Sequence, residues 1–367
     1  MMFHINCPDV MLTGKCNLRC KYCFEHKYNG NMDVEKFRKY VEEGCFTAFF
    51  PFGGEPLLRL ELLEKILETA DEHKKKLIKE NLITNGVLIP KYIEKIKELG
   101  LHMQISVDGP RHVNDINRKY ANGRGTFDDI IKGISACIKH KVPWSIHGVC
   151  TKETLPYLAE SLFWFFKIYR LQSKEEATKH LRQNTIQVIF EEDWDDKDVD
   201  IIIEQFYKFT EMIMKLPDFT YKEKITTLSS LFNRIGASCG AGTSLLAIDE
   251  NFDIYPCHRL ATVPERENYK LGNVYKPKEF KNYKQYNSYS RLKEEEKMYS
   301  SITDLQKGFK IPWFMWCPAT NIQTSNTVYY QNAKYNIMFT ELSRAIEELK
   351  RKYNISDGNP RQRNNCQ

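Results

Sequence analysis

Cys16, Cys20 and Cys23 stand in the spacing CxxxCxxC, within the stretch TGKCNLRCKYCFEH. The run before them, Val10 to Gly14, reads as a short strand ending in a Thr-Gly turn, which places the three thiols on a loop at the carboxyl end of a strand. In α/β folds that edge is where ligands and chemistry collect. Three thiolates hold three irons of a 4Fe-4S cube and leave the fourth iron open to a ligand that is not protein. Zinc knuckles show paired two-residue gaps, and a redox pair is an isolated CxxC; the first gap here is three residues. The spacing reads as the anchor of an iron-sulfur cluster.

After this loop the hydrophobic pattern alternates between strand and helix. Cys45 to Phe52, Glu80 to Thr84, Leu101 to Val107, Val142 to Cys150 and Thr185 to Glu191 read as five further strands. Between them, helices are expected over Met32 to Glu43 with Asp33 as its cap, Leu57 to Lys76, Pro90 to Leu99, Thr126 to His140 with a Thr cap, and Leu155 to Tyr169. Val199 to Leu216 follows the sixth strand. Such alternation implies parallel strands joined by right-handed crossovers. The expected fold class is α/β: a partial (β/α)6 TIM-like barrel over residues 1–220.

From about Tyr221 the rhythm changes. Ser244 to Ile248 and Asp253 to Tyr255 read as a hairpin turning at Asp249-Glu250-Asn251, within a small C-terminal α+β module expected over 221–355. Tyr335 to Lys352 reads as a last helix, and 356–367 as a polar tail. Residues 171–184 read as a charged surface insertion.

Composition decides a few function classes. No apolar stretch approaches the length of a membrane span, and no charged start followed by an apolar run marks an export signal. The eleven cysteines then suit thiolate ligands in a reducing compartment, and a cytoplasmic location is expected. The net charge of +6 is modest, and no dense basic stripe interleaved with aromatics marks a nucleic-acid surface.

A second motif, FFPFGGEPLL, places Gly53, Gly54, Glu55 and Pro56 at the end of the second strand. Two glycines there let a ligand approach the backbone, and Glu55 is positioned to accept from a bound ammonium group. With the cysteine loop one strand earlier, this pattern resembles the radical S-adenosylmethionine (radical SAM) enzymes. The resemblance implies that the open iron of the Cys16, Cys20 and Cys23 cluster chelates the methionine part of SAM. It also implies that Tyr22 packs near adenine and that Gly53 to Pro56 bind the amino group. Asn85 in TNG, Ser106 and Asp108 in QISVDGP, and Arg118 match polar strand-end residues that approach the ribose and the carboxylate in similar enzymes.

A second cysteine set, Cys239 in ASCGAGTSLLAID, Cys257 in FDIYPCHRL and Cys317 in FMWCPATN, resembles the auxiliary-cluster module of peptide-modifying members, called SPASM in full form and Twitch when shorter. LGNVY at Leu271 to Tyr275 adds to the match. Asn321 stands where relatives often place a cysteine, so one auxiliary 4Fe-4S cluster is expected, its fourth iron open, bound by substrate or bound by a distant residue such as Cys366. Cys7, Cys45, Cys137 and Cys150 read as small core residues. His258 and Arg259 are expected to support the auxiliary site.

The resemblance implies reductive cleavage of SAM to a 5'-deoxyadenosyl radical that takes hydrogen from a ribosomally made peptide, forming a thioether or carbon-carbon cross-link. The chain starts only nine residues before its first strand, so a separate leader-binding protein or the barrel mouth is expected to recognise the peptide. A low-potential reductant such as flavodoxin or ferredoxin is the other expected partner. The alternatives are a sulfatase-maturase-like oxidase, for which His258 stands in place of the favoured Asp, a molybdenum-cofactor-type small-molecule cyclase, and an iron-sulfur electron carrier or redox scaffold without SAM cleavage.

Overall fold

Every residue of the first strand, β1 (Asp9–Thr13), is buried, so both faces of the strand are covered. The computed structural model describes residues 5, 8–23, 30–43, 49–73, 82–173, 187–188, 195–232, 246–263, 265–279 and 344–355. β2 (Phe50–Gly53) pairs in parallel with β1, Asp9 opposite Phe50. β3 (Leu82–Thr84), β4 (Met103–Ser106) and β5 (Trp144–His147) form a second parallel group, and β6 (Val149–Cys150) pairs in parallel with β7 (Gln187–Val188). β2 packs beside β3, so the strands follow chain order. This is the expected α/β arrangement, open rather than closed.

The crossover helices are α1 (Val34–Glu42), α2 (Leu60–Glu72), α3 (Ile89–Glu98), α4 (Arg111–Asn117), α5 (Phe127–His140), α6 (Leu158–Arg170) and α7 (Asp196–Met214). Val10, Leu12, Leu82, Met103, Ile105, Trp144 and Ile146 alternate along the strands and enter the main core with the apolar stripes of these helices. Cys137 and Cys150 lie in that core, as expected. Asp33 caps α1 through Oδ1, which accepts from Lys36 N at 2.8 Å.

Several elements differ from the sequence reading. The run expected as one helix from Leu57 opens with a 3₁₀ turn, Pro56–Arg59, because Pro56 sets the first turn and Glu55 caps it, before α2 begins. Thr126 does not cap α5 with its side chain. Its hydroxyl donates to Arg118 O at 3.0 Å, and Asp115 Oδ1 accepts from Thr126 N and Phe127 N instead. The fifth strand breaks at Gly148, where a Cβ would lie 2.7 Å from Val107 O. α4 and the helix α8 (Tyr221–Phe232) were not anticipated; α8 packs on α7, which supplies the apolar cover its weak pattern does not advertise.

The expected hairpin is present as β8 (Ala247–Ile248) and β9 (Asp253–Tyr255), extended by β10 (Gly272–Asn273). β8 also pairs in parallel with β1, Asp9 opposite Ala247, so one sheet runs β10-β9-β8-β1-β2. A small cluster of Met11, Phe52, Ala247, Tyr255 and Ala261 seals that sheet on the side away from the main core. Helical residues 344–353 follow; 335–343, most of the 171–184 insertion and the 356–367 tail lie outside the described residues. Among the described residues no helix is long and apolar enough to cross a membrane.

Candidate cluster and cofactor site

The cysteine loop leaves β1 at Thr13 and is held at both ends. Thr13 Oγ1 bonds Asn31 Oδ1 at 2.7 Å and accepts from Lys15 N at 3.1 Å, which fixes the turn. Farther along, Arg19 N donates to Lys119 O at 2.7 Å and Lys21 N to Asn117 O at 3.0 Å, an antiparallel seam against the last residue of α4 and the segment that follows it. Cys20 is buried, and Cys16 and Cys23 are half-buried. Burial pushes the Cys16 thiol up to about 12, opposed by Leu18 N–H, which lies 3.4 Å from its sulfur. Burial also raises Cys20, and the Arg118 charge opposes it. The neighbouring Cys20 and Cys23 raise Cys16 further, and thiols that ligate a metal give up their protons as the metal binds. A donor set of three thiols on one short loop, without a fourth, fits an iron-sulfur cube with one open iron. Among the described residues no three His, Cys, Asp or Glu side chains are arranged to hold a single metal ion.

The glycines of the second motif serve the loop itself. A Cβ on Gly53, whose φ is 134°, would lie 2.1 Å from Thr13 O, and one on Gly54 would lie 2.5 Å from Lys15 O. The close approach inferred for a ligand is thus made by the cysteine loop. Gly54 N and Glu55 N donate to Thr13 O and Lys15 O, both at 2.9 Å, locking the two strand ends together. Glu55 is fully buried. Its Oε1 accepts from Thr84 Oγ1 at 2.7 Å and Leu57 N at 3.1 Å, and its Oε2 from Asn85 N at 2.7 Å. Burial nevertheless raises this carboxyl to about 7. Where the sequence points to a bound ammonium, Glu55 already joins the ends of β2 and β3. Asn85 Nδ2 reaches back to Asn17 Oδ1 at 2.8 Å and lies 3.9 Å from Cys16 Sγ.

Asp108, past the end of β4, gathers the remaining predicted residues. Its Oδ1 accepts from Arg118 Nε at 2.9 Å and Val149 N at 3.0 Å, and its Oδ2 from Tyr22 OH at 2.8 Å. Arg118 also lies over the Tyr22 ring, 5.4 Å from its centroid. One buried carboxylate therefore joins the cysteine loop, β4 and the segment after α4. Ser106 lies next to it, opposite His147 on β5.

Ser106, which the sequence reading singled out, and His147, which it did not, belong to one row across the strands. On β3 to β5 the residues facing the helices alternate with Ile83, Gln104, Ser106, Ser145 and His147 on the concave side, where Ile83 pairs with Gln104 and Gln104 with Ser145. Ile83 is 42% exposed there. The alternation in HMQISVDG and PWSIHGV carries this signal. Cys257 is buried just after β9, and His258 Nδ1 pairs with Asp9 Oδ2 at 2.7 Å while its ring lies 5.6 Å from that of Phe52. Cys239, Cys317, Cys366, Cys7, Cys45 and Asn321 lie outside the described residues.

The profile of the radical SAM superfamily matches residues 10–165. An uncharacterised protein of Methanocaldococcus jannaschii, MJ0907, is 37% identical over 159 residues, which span 41% of this chain and 55% of that one. A cysteine-type anaerobic sulfatase-maturating enzyme of Clostridium perfringens strain 13 is 26% identical over 291 residues, 71% of this chain and 75% of that one. The fold is also that of a solved structure of native anSMEcpe with bound AdoMet and Cp18Cys peptide, with a TM-score of 0.68 at 22% identity, over 95% of this chain and 99% of that one.

Proposed function

We propose, from a chain whose residues 10–165 form a radical SAM domain, that the protein cleaves S-adenosylmethionine reductively and modifies a ribosomally made peptide by forming a thioether or carbon-carbon cross-link. The observation that carries this reading is the assembly of three loop thiols with Asp108, Tyr22 and Arg118 beside a half-polar concave sheet face. Cys16, Cys20 and Cys23 hold the cluster. When bound, the cluster and SAM supply a 5'-deoxyadenosyl radical that abstracts hydrogen from an unactivated C–H bond.

The chain's own residues bind and orient. Asp108 holds Arg118 by Nε, which aims the rest of a planar guanidinium toward the methionine carboxylate. Tyr22, fixed at its hydroxyl, offers its ring to adenine. Gly53, Gly54, Glu55 and Pro56 shape the strand end around the amino group, and Asn85 and Ser106 face the ribose. Met11 and Phe52 contribute an apolar wall that keeps water from a reactive radical. Cys239, Cys257 and Cys317 hold one auxiliary cluster. A peptide, a separate leader-binding protein and a low-potential reductant are the partners, and the cytoplasm is the compartment that keeps these thiols reduced.

A second reading, oxidation of a peptide side chain in place, is supported by the match to sulfatase-maturating enzymes over 71% of this chain. His258, where the favoured residue of that family is Asp, weighs toward the cross-link. Anaerobic reconstitution with iron and sulfide, followed by SAM and dithionite, tests the common step. About eight irons and release of 5'-deoxyadenosine are expected from two cubes. Cys20→Ala is expected to abolish cleavage while retaining part of the iron, and Cys257→Ala to lose auxiliary iron and product while sparing uncoupled cleavage. Retained cleavage in Cys20→Ala overturns the assignment. With a peptide substrate, a product two hydrogens lighter whose fragments stay joined between the linked residues and that does not react with a hydrazide marks the cross-link, and an aldehyde captured by a hydrazide marks the oxidase.

A further inference from the structure

The limbs that lead into and out of the cysteine loop meet beneath it. Gly14 N donates to Gly30 O at 2.9 Å, Thr13 Oγ1 bonds Asn31 Oδ1 at 2.7 Å, and Met32 N donates to Leu12 O at 3.1 Å. Residues 12–14 and 30–32 thus run side by side as a neck. The turn between β8 and β9, far along the chain, sets Glu250 against that neck. A Cβ on Gly30 would lie 2.6 Å from Glu250 Cγ and Cδ and 2.7 Å from its Oε1. Gly30 does not hold a left-handed backbone, so the missing side chain there serves this close approach and not the path of the chain.

The hairpin holds Glu250 in place without help from the loop. The Glu250 side chain is 11% exposed, Asn251 Nδ2 donates to its Oε1 at 3.0 Å, and Arg266 Nη2 stands 3.7 Å from the same oxygen. Asp249 Oδ1 accepts from Asn251 N and Asp253 N, both at 2.9 Å, and its Oδ2 faces Arg266 Nη1 at 3.3 Å, which fixes the turn. Phe252 packs beside the rings of Phe37 on α1 and of Tyr275, with centroids 6.3 and 5.2 Å away, and Tyr275 OH donates to Lys36 O at 2.6 Å. The turn is therefore a rigid block seated on α1. We propose that Glu250 is a positioning residue for the cysteine loop, a wedge from the C-terminal segment that keeps the neck closed and with it Cys16, Cys20 and Cys23 at cluster spacing. The inference rests on the cluster reading of that loop. The seam at 117–119 holds the far side of the loop and Gly53 to Glu55 its first limb, whereas Glu250 acts on the returning limb. Opening of such a loop is a local event, set by the contacts at its neck more than by global stability.

Maleimide labelling of the full chain before reconstitution, read cysteine by cysteine in a mass spectrometer, tests this without iron or SAM. Glu250→Ala is expected to speed labelling of Cys16 and Cys23 by about fivefold or more, while Cys137 and Cys150, in the main core, stay within about twofold of the unaltered protein. Gly30→Ala drives the carboxylate off from the loop side and is expected to have the same effect with the hairpin sequence intact. Because both changes remove one contact, the double variant is expected to label no faster than the faster single one. Glu250→Gln keeps the shape of the wedge and is expected to restore slow labelling. After anaerobic reconstitution, the paramagnetic resonance signal that changes on adding SAM is expected to decay several-fold faster under a chelator in Glu250→Ala than in Glu250→Gln. Unchanged labelling of Cys16 and Cys23 in both Glu250→Ala and Gly30→Ala overturns the proposal. Equal acceleration at Cys137 and Cys150, which marks a general loosening, overturns it too, as do rates that multiply in the double variant. If the unaltered protein gives no SAM-responsive signal, the cluster reading fails, while the labelling series still decides what Glu250 does to the loop.

Discussion

Gly53 and Gly100 both hold a left-handed backbone, with φ of 134° and 64°, yet their surroundings give a side chain opposite consequences. A Cβ on Gly53 would strike Thr13 O, whereas one on Gly100 would meet nothing within 4 Å. Gly100→Ala is expected to cost only the strain of the backbone, about 1 kcal/mol, in chemical denaturation. Gly53→Ala adds the displacement of the cysteine loop, so it is expected to cost several times as much and to lower the iron retained after reconstitution; equal effects in the two variants would refute the assignment of Gly53 to loop seating. The site's residue types were legible because CxxxCxxC and Gly-Gly-Glu-Pro are local patterns. What each side chain touches was not. Glu55 is consumed by Thr84, Leu57 and Asn85, and Asp108 ties Tyr22 to Arg118, through contacts between distant segments that no local spacing encodes.

Strands and crossover helices were readable because each repeats an apolar period with its own punctuation, as Asp33 before α1 illustrates. α4 and α8 escaped because short or weakly amphipathic helices owe their existence to neighbours. The partnership of β8 with β1 was equally hidden, since two-residue strands advertise nothing about pairing. It carries a prediction at the level of elements. A chain ended after α8 would uncover the edge of β1, where Asp9 N now bonds Leu246 O at 2.8 Å, and would bare Met11 and Phe52. Such a fragment is expected to be insoluble or to aggregate when expressed, as an open apolar strand edge dictates. A monomeric, cooperatively unfolding fragment would show that the barrel half stands without the hairpin.

Among the described residues three carboxyls share an upward shift: Glu55 to about 7 and Asp249 to about 8, chiefly from burial, and Glu250 to about 7, again from burial. A group whose folded value is raised binds its proton more tightly in the native state, so its contribution is complete below its unfolded value and is lost as pH rises through the folded one. Stability is therefore expected to fall as pH rises from about 4 to 8, an interval bounded by the ordinary carboxylate value and the shifted ones. Asp249→Asn keeps an oxygen for Asn251 N and Asp253 N and is expected to flatten part of that slope in thermal melts taken across the interval; an unchanged slope would exclude Asp249 as a source. The pairing of Asp9 with Ala247 has a further consequence in time. During synthesis β1 emerges well before β8, its second neighbour, with β2 to β7 between them in the chain. The strand that carries the cysteine loop thus waits with one side bare, a long-range closure of the sort that slows folding. Seating of the loop that β1 carries is then timed to the arrival of β8 rather than to the loop's own synthesis.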